Sequence, residues 1–144
     1  MFSSKADLEK LEKTNKRAMR MITNESNDDY NEICRKENQM QINKHCIKAV
    51  SIQMYKVKNN LCPDYLTELF EEKHLTYDMR DNDNFNIPNF KSVKYGKKSL
   101  MYYGPKLWSM IPLEIKNAVS LSAFKSAITK WLLHLEDVTN MNYV

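Results

Sequence analysis

The chain has 144 residues, of which 42% are hydrophobic, so it is long enough for one domain or for two subdomains that share a core. Its formal net charge is +4, with 22 basic and 18 acidic residues. No run approaches the roughly 18 apolar residues of a membrane span, and the opening MFSSKADLEK becomes charged too early for a signal peptide. We therefore expect an intracellular protein, in the nucleus or the cytoplasm.

The cysteines exclude two further classes of protein. Cys34, Cys46 and Cys62 are odd in number and show neither a C-x-x-C pair nor a Cys/His run at zinc spacing. This argues against a disulfide framework and against a metal knuckle. We expect reduced cysteines that pack inside the protein, with no metal and no cofactor.

The first predicted helix follows Ser3 or Ser4, either of which suits an N-cap. Its apolar seam has helical spacing and consists of Leu8, Leu11, Ala18, Met19 and Ile22. Lys13, Arg17 and Arg20 fall largely outside this seam. Such a helix can pack on a neighbour while its basic flank faces a nucleic-acid backbone. The alternative is an ordinary amphipathic helix whose cations serve solubility.

Three more helices are predicted in the N-terminal half. Asp28 and Asp29 precede an apolar cluster and suit the N-cap of a short helix. The central helix spans 42–59. Its predicted apolar face consists of Ile42, Cys46, Ala49, Val50, Met54 and Val57. Asn59 and Asn60 suit its C-terminal turn, and Pro63 then begins a helix with an apolar face of Tyr65, Leu66, Leu69 and Phe70.

The helical pattern lapses between residues 73 and 89, where the chain is polar and irregular. An extended arm that crosses the helices is predicted from Phe85, Ile87, Phe90, Val93 and Tyr95. Pro88 limits any strand there to a sheet edge. The predicted domain organisation is a helical subdomain at 1–74, a linker at 75–92, a second helical subdomain at 93–136 and a tail at 137–144.

The stretch 94–116 contains both glycines and two of the four prolines. Pro105 suits the first residue of a short helix, and Pro112 suits the break before another. The last helix is predicted to follow Ser120 or Ser122. Its apolar stripe consists of Leu121, Phe124, Ala127, Ile128, Trp131, Leu132 and Leu135. The residues predicted to anchor this region are Gly104, Pro105, Trp108, Pro112, Phe124 and Trp131. The fold class is therefore mainly α, a small helical bundle with an irregular connection.

Positive charge is concentrated between residues 91 and 130, which contain eight lysines and the single acid Glu114. The predicted nucleic-acid contacts in this region are Lys94, Lys97, Lys98 and Lys106. The aromatic residues interleaved with them are Tyr95, Tyr102, Tyr103 and Trp108. Lysines and aromatic rings together suit sequence-tolerant binding of a single strand. In the alternative interpretation the lysines form a solvated face and the aromatic residues belong to the core.

Several motifs of this chain recur together in one family. The segment YGKKSLMYYGPKLWSMIPLEIKNAVSLSAFKSAITKW closely resembles the C-terminal end of reverse transcriptases from non-LTR retrotransposons of the LINE or jockey type. There, K-Y-G, S-L, Y-x-G-P-K-L-W, I/L-P-x-E-I-K and S-L-x-x-F-K occur in the same order. LEKTNKRAMRMIT and MYKVKNNLCPDYLTELF are similar to two earlier segments of the family. The resemblance covers roughly residues 8 to 131.

The resemblance implies the region downstream of the catalytic palm. Such a fragment would support the binding of template RNA or primer duplex and brace the polymerase domain, without catalytic activity of its own. The palm aspartates of the family follow an aromatic residue on a strand hairpin, whereas Asp28 and Asp29 follow Ser26 and Asn27. No cysteine follows Cys62, so the end LLHLEDVTNMNYV departs from the cysteine-rich tail common in this sub-type. The alternative function is a protein-interaction or structural helical module with no nucleic-acid role.

Overall fold

The computed structural model describes residues 5–24, 29–37, 39–70, 85–90, 96 and 99–135. Seven helices lie in these ranges, which confirms the predicted mainly α fold. They are α1 Lys5–Thr23, α2 Tyr30–Lys36, α3 Ile42–Lys58, α4 Asp64–Thr67, α5 Leu100–Met110, α6 Leu113–Lys116 and α7 Leu121–His134.

Helix α3 is the centre of the fold, because α7 and α5 both pack on it and α1 and α4 also contact it. The main hydrophobic core combines side chains of α3, α5 and α7 with Phe70, Phe85 and Ile111. This core includes residues from both of the predicted subdomains. The predicted boundaries themselves stay a prediction.

The central helix was predicted at nearly its observed length, but its buried face was only partly predicted. Ala49 is exposed, whereas Ile47, Ser51 and Tyr55 are buried with Val50, Met54 and Val57. The reason is that α3 has neighbours on two sides, so its buried face is wider than a single apolar stripe. Ser51 fits this interior because its hydroxyl donates to the backbone carbonyl of Ile47 at 2.8 Å.

The end of α3 confirms the predicted turn. Asn60 has φ 53°, the left-handed conformation that asparagine tolerates better than most residues. The N–H of Leu61 donates to the carbonyl of Lys56 at 2.8 Å, and the N–H of Asn60 donates to that of Val57 at 3.2 Å. These two hydrogen bonds form a Schellman motif, which satisfies carbonyls that the helix itself leaves unpaired.

The predicted apolar face after Pro63 is wrong for two of its four residues. Pro63 does precede a helix, but α4 has only four residues, and Tyr65 and Leu69 are exposed. Phe70 lies beyond α4 and is buried, and its ring meets that of Phe85 edge-on at a centroid distance of 5.9 Å. A single turn cannot bury a continuous stripe, so only Phe70 joins the main core.

Helices α1 and α2 form a second, smaller core cluster from Met19, Tyr30, Ile33 and Cys34. The predicted seam of α1 is therefore largely wrong, because Met19 is its only buried member. The side of α1 that faces the protein carries polar side chains instead.

Asp29 precedes α2, and its carbonyl accepts from the N–H groups of Glu32 and Ile33. Ser3, Ser4 and Asp28, the other predicted caps, lie outside the described residues.

Helix α5 begins at Leu100 and not at Pro105, which corrects the predicted start. Leu100 and Tyr103 pack against the main core, and their burial stabilises the additional turn. This turn forms although Pro105 has no N–H to donate to the helix, a cost of about 3 kcal/mol in a helix interior. The predicted break is confirmed, because α5 ends at Met110 and α6 follows Pro112.

The last helix is confirmed with its cap, because the Ser120 hydroxyl accepts from the N–H of Ala123 at 3.2 Å.

Part of the predicted extended arm is also described. Phe85 is buried in the main core and meets the Trp108 ring edge-on at a centroid distance of 6.2 Å, whereas Ile87 is exposed. Val93 and Tyr95 lie outside the described residues.

Candidate nucleic-acid interface

Three of the predicted contacts share one face of α1. Lys13, Arg17 and Arg20 follow i, i+4, i+7 spacing, and we call them the α1 basic row. Lys13 and Arg17 are exposed. Arg20 is half-buried, and its Nε is buried with no hydrogen-bond partner in the described part of the chain. The first two side chains are therefore the better placed to reach a partner.

Polar contacts determine which way α1 faces. Glu12 Oε2 accepts a hydrogen bond from the backbone N–H of Ile42 at 3.1 Å. The amide of Asn15 donates to the Tyr30 hydroxyl at 2.7 Å. Because Glu12 and Asn15 turn toward α3 and α2, the basic row lies on the outer part of the helix. Lys16 takes an intermediate position, with its ammonium 5.9 Å from the centroid of the Tyr30 ring.

The same contacts create a buried polar region between α1 and α2. Burial, and then the neighbouring Glu12 carboxylate, raise the pKa of Tyr30 far above its ordinary value of 10.0. Burial also raises the pKa of the Cys34 and Cys46 thiols. These groups are therefore neutral at pH 7, as packing residues should be. Within the described ranges, no group of three acidic, histidine or cysteine residues has a metal-binding arrangement.

The outer side of α1 also exposes apolar side chains that the core does not use. Leu11 is 50% exposed, Ile22 is 74% exposed and Met21 is 83% exposed. Together with the exposed Ala18, we call these residues the α1 apolar stripe. Leu11, Ala18 and Ile22 recur at i, i+7, i+11, so they form a line along the helix, about 150° around its axis from the α1 basic row.

Of the remaining predicted contacts, Lys106 alone lies in the described part of the chain, and it is not joined to that row. Lys106 is half-buried on α5, which packs on α3 and has no extensive contact with α1. Lys94, Lys97 and Lys98 lie outside the described residues.

The structure also corrects the stacking interpretation of one aromatic residue. Trp108 is only 1% exposed, so it cannot offer its ring to a nucleic-acid base.

Four of the six predicted anchors are buried, namely Gly104, Pro105, Trp108 and Phe124. The Phe124 ring lies between those of Tyr55 and Trp108, at centroid distances of 4.3 and 6.0 Å. Trp131 is half-buried at the margin of the main core, so its predicted role as a core anchor is reduced. Pro112 is exposed, so it does not pack in the core; it sets the backbone direction between α5 and α6.

A cavity of about 240 Å³ lies where α3 and α6 end, and no prediction from the sequence found it. Its lining residues are Lys58, Asn59, Trp108, Lys116, Asn117 and Ala118. We call it the Lys58–Lys116 cavity. One signal was present in the sequence, because both helices end in a lysine followed by an asparagine.

No protein-family model, curated protein or solved structure matches this chain. None of the helices in the described ranges combines the length and the apolar character that a bilayer span needs. The function is therefore inferred from the residues of the chain and from the motifs in its sequence.

Proposed function

We propose that this chain is the non-catalytic C-terminal region of a non-LTR retrotransposon reverse transcriptase. It supports the binding of template RNA or primer duplex and braces the polymerase domain of the parent protein. The observation that carries this proposal is the α1 basic row, in which Lys13 and Arg17 are exposed on one helix face. The ordered motifs of the sequence, from LEKTNKRAMRMIT to SLSAFKSAITKW, supply the family to which that surface would belong.

The α1 basic row suits contacts with phosphates. Long cationic side chains reach phosphate oxygens without reading base edges, so they add affinity and little sequence preference. The lysine-rich stretch between residues 91 and 130 supplies further positive charge from Lys94, Lys97, Lys98 and Lys106. We therefore expect weak binding that is tolerant of sequence and falls steeply as the salt concentration rises.

The bracing role is supported by the α1 apolar stripe. An apolar line that the protein's own core leaves exposed is typical of a surface that contacts another protein. The same stripe favours the second candidate function, a protein-interaction module with no nucleic-acid role. In that case Lys13 and Arg17 would only keep the helix soluble.

A titration of a labelled, short single-stranded RNA, followed by fluorescence anisotropy at several salt concentrations, tests the proposal. The variant K13Q/R17Q removes two cations from the α1 basic row. At roughly 0.7 units per phosphate contact, it should flatten the plot of log affinity against log salt by about 1.4 units. The variant K94Q/K97Q/K98Q/K106Q should flatten it by about three units.

The matched control is K125Q/K130Q, which removes two exposed lysines from α7 outside the proposed contacts. It should leave the slope within about half a unit of that of the parent chain. Circular dichroism confirms that each variant is folded. If the parent chain binds no RNA at low salt, or if K13Q/R17Q and K94Q/K97Q/K98Q/K106Q both keep the parent slope, the nucleic-acid role is wrong and the interaction module replaces it.

A further inference from the structure

Besides the α1 apolar stripe, the structure exposes an apolar surface around α4. Leu61, Tyr65 and Leu69 are all exposed. Glu68 keeps helical backbone angles, φ −61° and ψ −22°, so the turn of α4 continues and places Tyr65 and Leu69 on one side of it. Asp64 and Glu68 have the same spacing and are exposed too, so an acidic line runs beside the apolar one. We call these five residues the α4 surface.

The α1 apolar stripe has positive charge on its solvent side. Lys10 and Arg17 are exposed and lie seven residues apart, so they form a line along the helix. Met21 follows Arg17 by four residues and lies between this line and the rest of the stripe. Within the span 10–22 the exposed charged side chains are all basic, because Glu12 turns toward α3. Helix α1 thus presents an apolar line with a basic line on its outer side.

The two surfaces complement each other in pattern and in charge. Each has an apolar line with a charged line beside it, and the charges are basic on α1 and acidic on α4. Apolar contact at the centre of an interface, with opposite charges near its edge, suits the association of two proteins. Pairing of like surfaces is disfavoured, because α1 against α1 would bring cations together and α4 against α4 would bring carboxylates together.

The matching surfaces do not cover each other within one molecule. Helix α1 contacts the N-terminus of α3 through Glu12 and Ile42, whereas α4 follows the C-terminus of α3. Helix α3 has 17 residues, so its two ends are about 25 Å apart. In the single chain Leu11 is accordingly 50% exposed and Tyr65 is 65% exposed. Contact between the two surfaces therefore requires a second molecule.

We propose that this chain associates head to tail with a second copy of itself, so that the α1 apolar stripe of one copy packs on the α4 surface of the next. Lys10 and Arg17 meet Asp64 and Glu68 across this interface. Each pair leaves one surface of each kind uncovered, so further copies can add. The inference goes beyond the proposed function, because it gives the stripe a partner that competes with the polymerase domain and does not depend on RNA.

Sedimentation velocity of the full chain, treated with nuclease to remove nucleic acid, tests the proposal. The mean mass should exceed that of one chain and rise with protein concentration. M21Q/I22Q and Y65Q/L69Q should each stay monomeric. Their mixture should form a 1:1 complex and nothing larger, because only one surface of each kind remains intact. The control I87Q/V119Q replaces two exposed apolar residues outside both surfaces and should associate like the parent chain.

Reversal of the charges tests the pairing of the two charged lines. K10E/R17E and D64K/E68K should each weaken the association by at least about tenfold, because opposite charges are replaced by like charges. K10E/R17E/D64K/E68K reverses both lines in one chain and should restore the association. All four positions are exposed, and circular dichroism confirms that each variant is folded. If the fourfold variant stays as weak as the two double variants, the pairing is wrong.

The other outcomes separate this inference from the proposed function. A nuclease-treated chain that is still monomeric at about 1 mM would overturn the association. Self-association of Y65Q/L69Q would overturn the head-to-tail arrangement, as would a mixture of the two apolar variants that stays monomeric. Association without any RNA binding would support the second-copy interface and contradict the nucleic-acid role. RNA binding by a chain that remains monomeric would do the reverse.

Discussion

Glu12 caps the N-terminus of a helix that begins 30 residues later, because its Oε2 accepts the backbone N–H of Ile42 at 3.1 Å. The N-cap residue of α3 itself, Gln41, makes no side-chain capping hydrogen bond. Helix α1 therefore supplies the anionic group that the positive end of α3 favours. This contact also joins the small α1–α2 cluster to the central helix.

Replacement of Glu12 by alanine should reduce the free energy of unfolding by about 1–3 kcal/mol, because a partly buried N–H and a helix dipole lose their acceptor. Glu12→Gln keeps an acceptor oxygen and should cost less. Urea denaturation measures both variants. Glu9→Ala, at an exposed position of the same helix, is the control and should change stability by less than about 0.5 kcal/mol. Equal losses at the two positions would contradict the capping role.

The two tryptophans should differ in their contribution to stability. Trp108 is buried between Phe124 and Phe85, so Trp108→Ala should cost about 3–5 kcal/mol. Trp131 is half-buried, and Trp131→Ala should cost clearly less. Thermal melts of both variants provide the comparison. A loss at Trp131 as large as that at Trp108 would show that the margin of the core is as well packed as its centre.

Gly104 allows α5 to approach α3 closely. Its φ is not positive, and a Cβ placed on it would lie 2.5 Å from the sulfur of Met54, which is fully buried. Gly104→Ala should therefore destabilise the protein by about 1–3 kcal/mol, although alanine is the better helix former. The double variant with Met54→Ala should lose at least about 0.5 kcal/mol less than the sum of the single variants. Additive losses in urea denaturation would argue against the close contact.

Tyr30 should make stability depend on alkaline pH. Burial and Glu12 raise the pKa of Tyr30 in the folded chain far above the ordinary value of 10.0, whereas the unfolded chain ionises near that value. The stabilisation is therefore fully present below about pH 10 and is lost as the pH rises further. Between about pH 9 and 11, Tyr30→Phe should lose roughly 1 kcal/mol less stability than the parent chain. Tyr65→Phe, at an exposed position, is the control for urea denaturation at the two pH values.

The elements of this fold were more predictable than their faces. Periodicity located α3 and α7, because a helix long enough to show several turns of pattern needs little else to identify it. Periodicity did not predict which side of α1 is buried. Leu11 and Ile22 form an apolar line in the sequence whether or not a neighbouring helix covers them. Helix α5 begins before Pro105 because the burial of Leu100 outweighs the preference of proline for the first residue of a helix.

The candidate sites show the same division. Lys13 and Arg17 could be predicted, since both belong to one helix and their spacing shows a shared face. The Lys58–Lys116 cavity could not, because it depends on a hydrogen bond between Tyr55 and Ala118 that joins distant parts of the chain. Local patterns carry no information about which helix ends will meet.

The separation of the hydrophobic side chains into two clusters has a consequence for local unfolding. Met19, Tyr30, Ile33 and Cys34 bury a small apolar area of their own, while the main core stabilises α3, α5 and α7. Helices α1 and α2 should therefore open as a unit at a lower free energy than the rest of the protein. Their amide protons should exchange with solvent faster than those of α3 and α7. The α1 basic row thus lies on the less stable part of the molecule, so the proposed binding of nucleic acid there should slow exchange in α1 and α2 first.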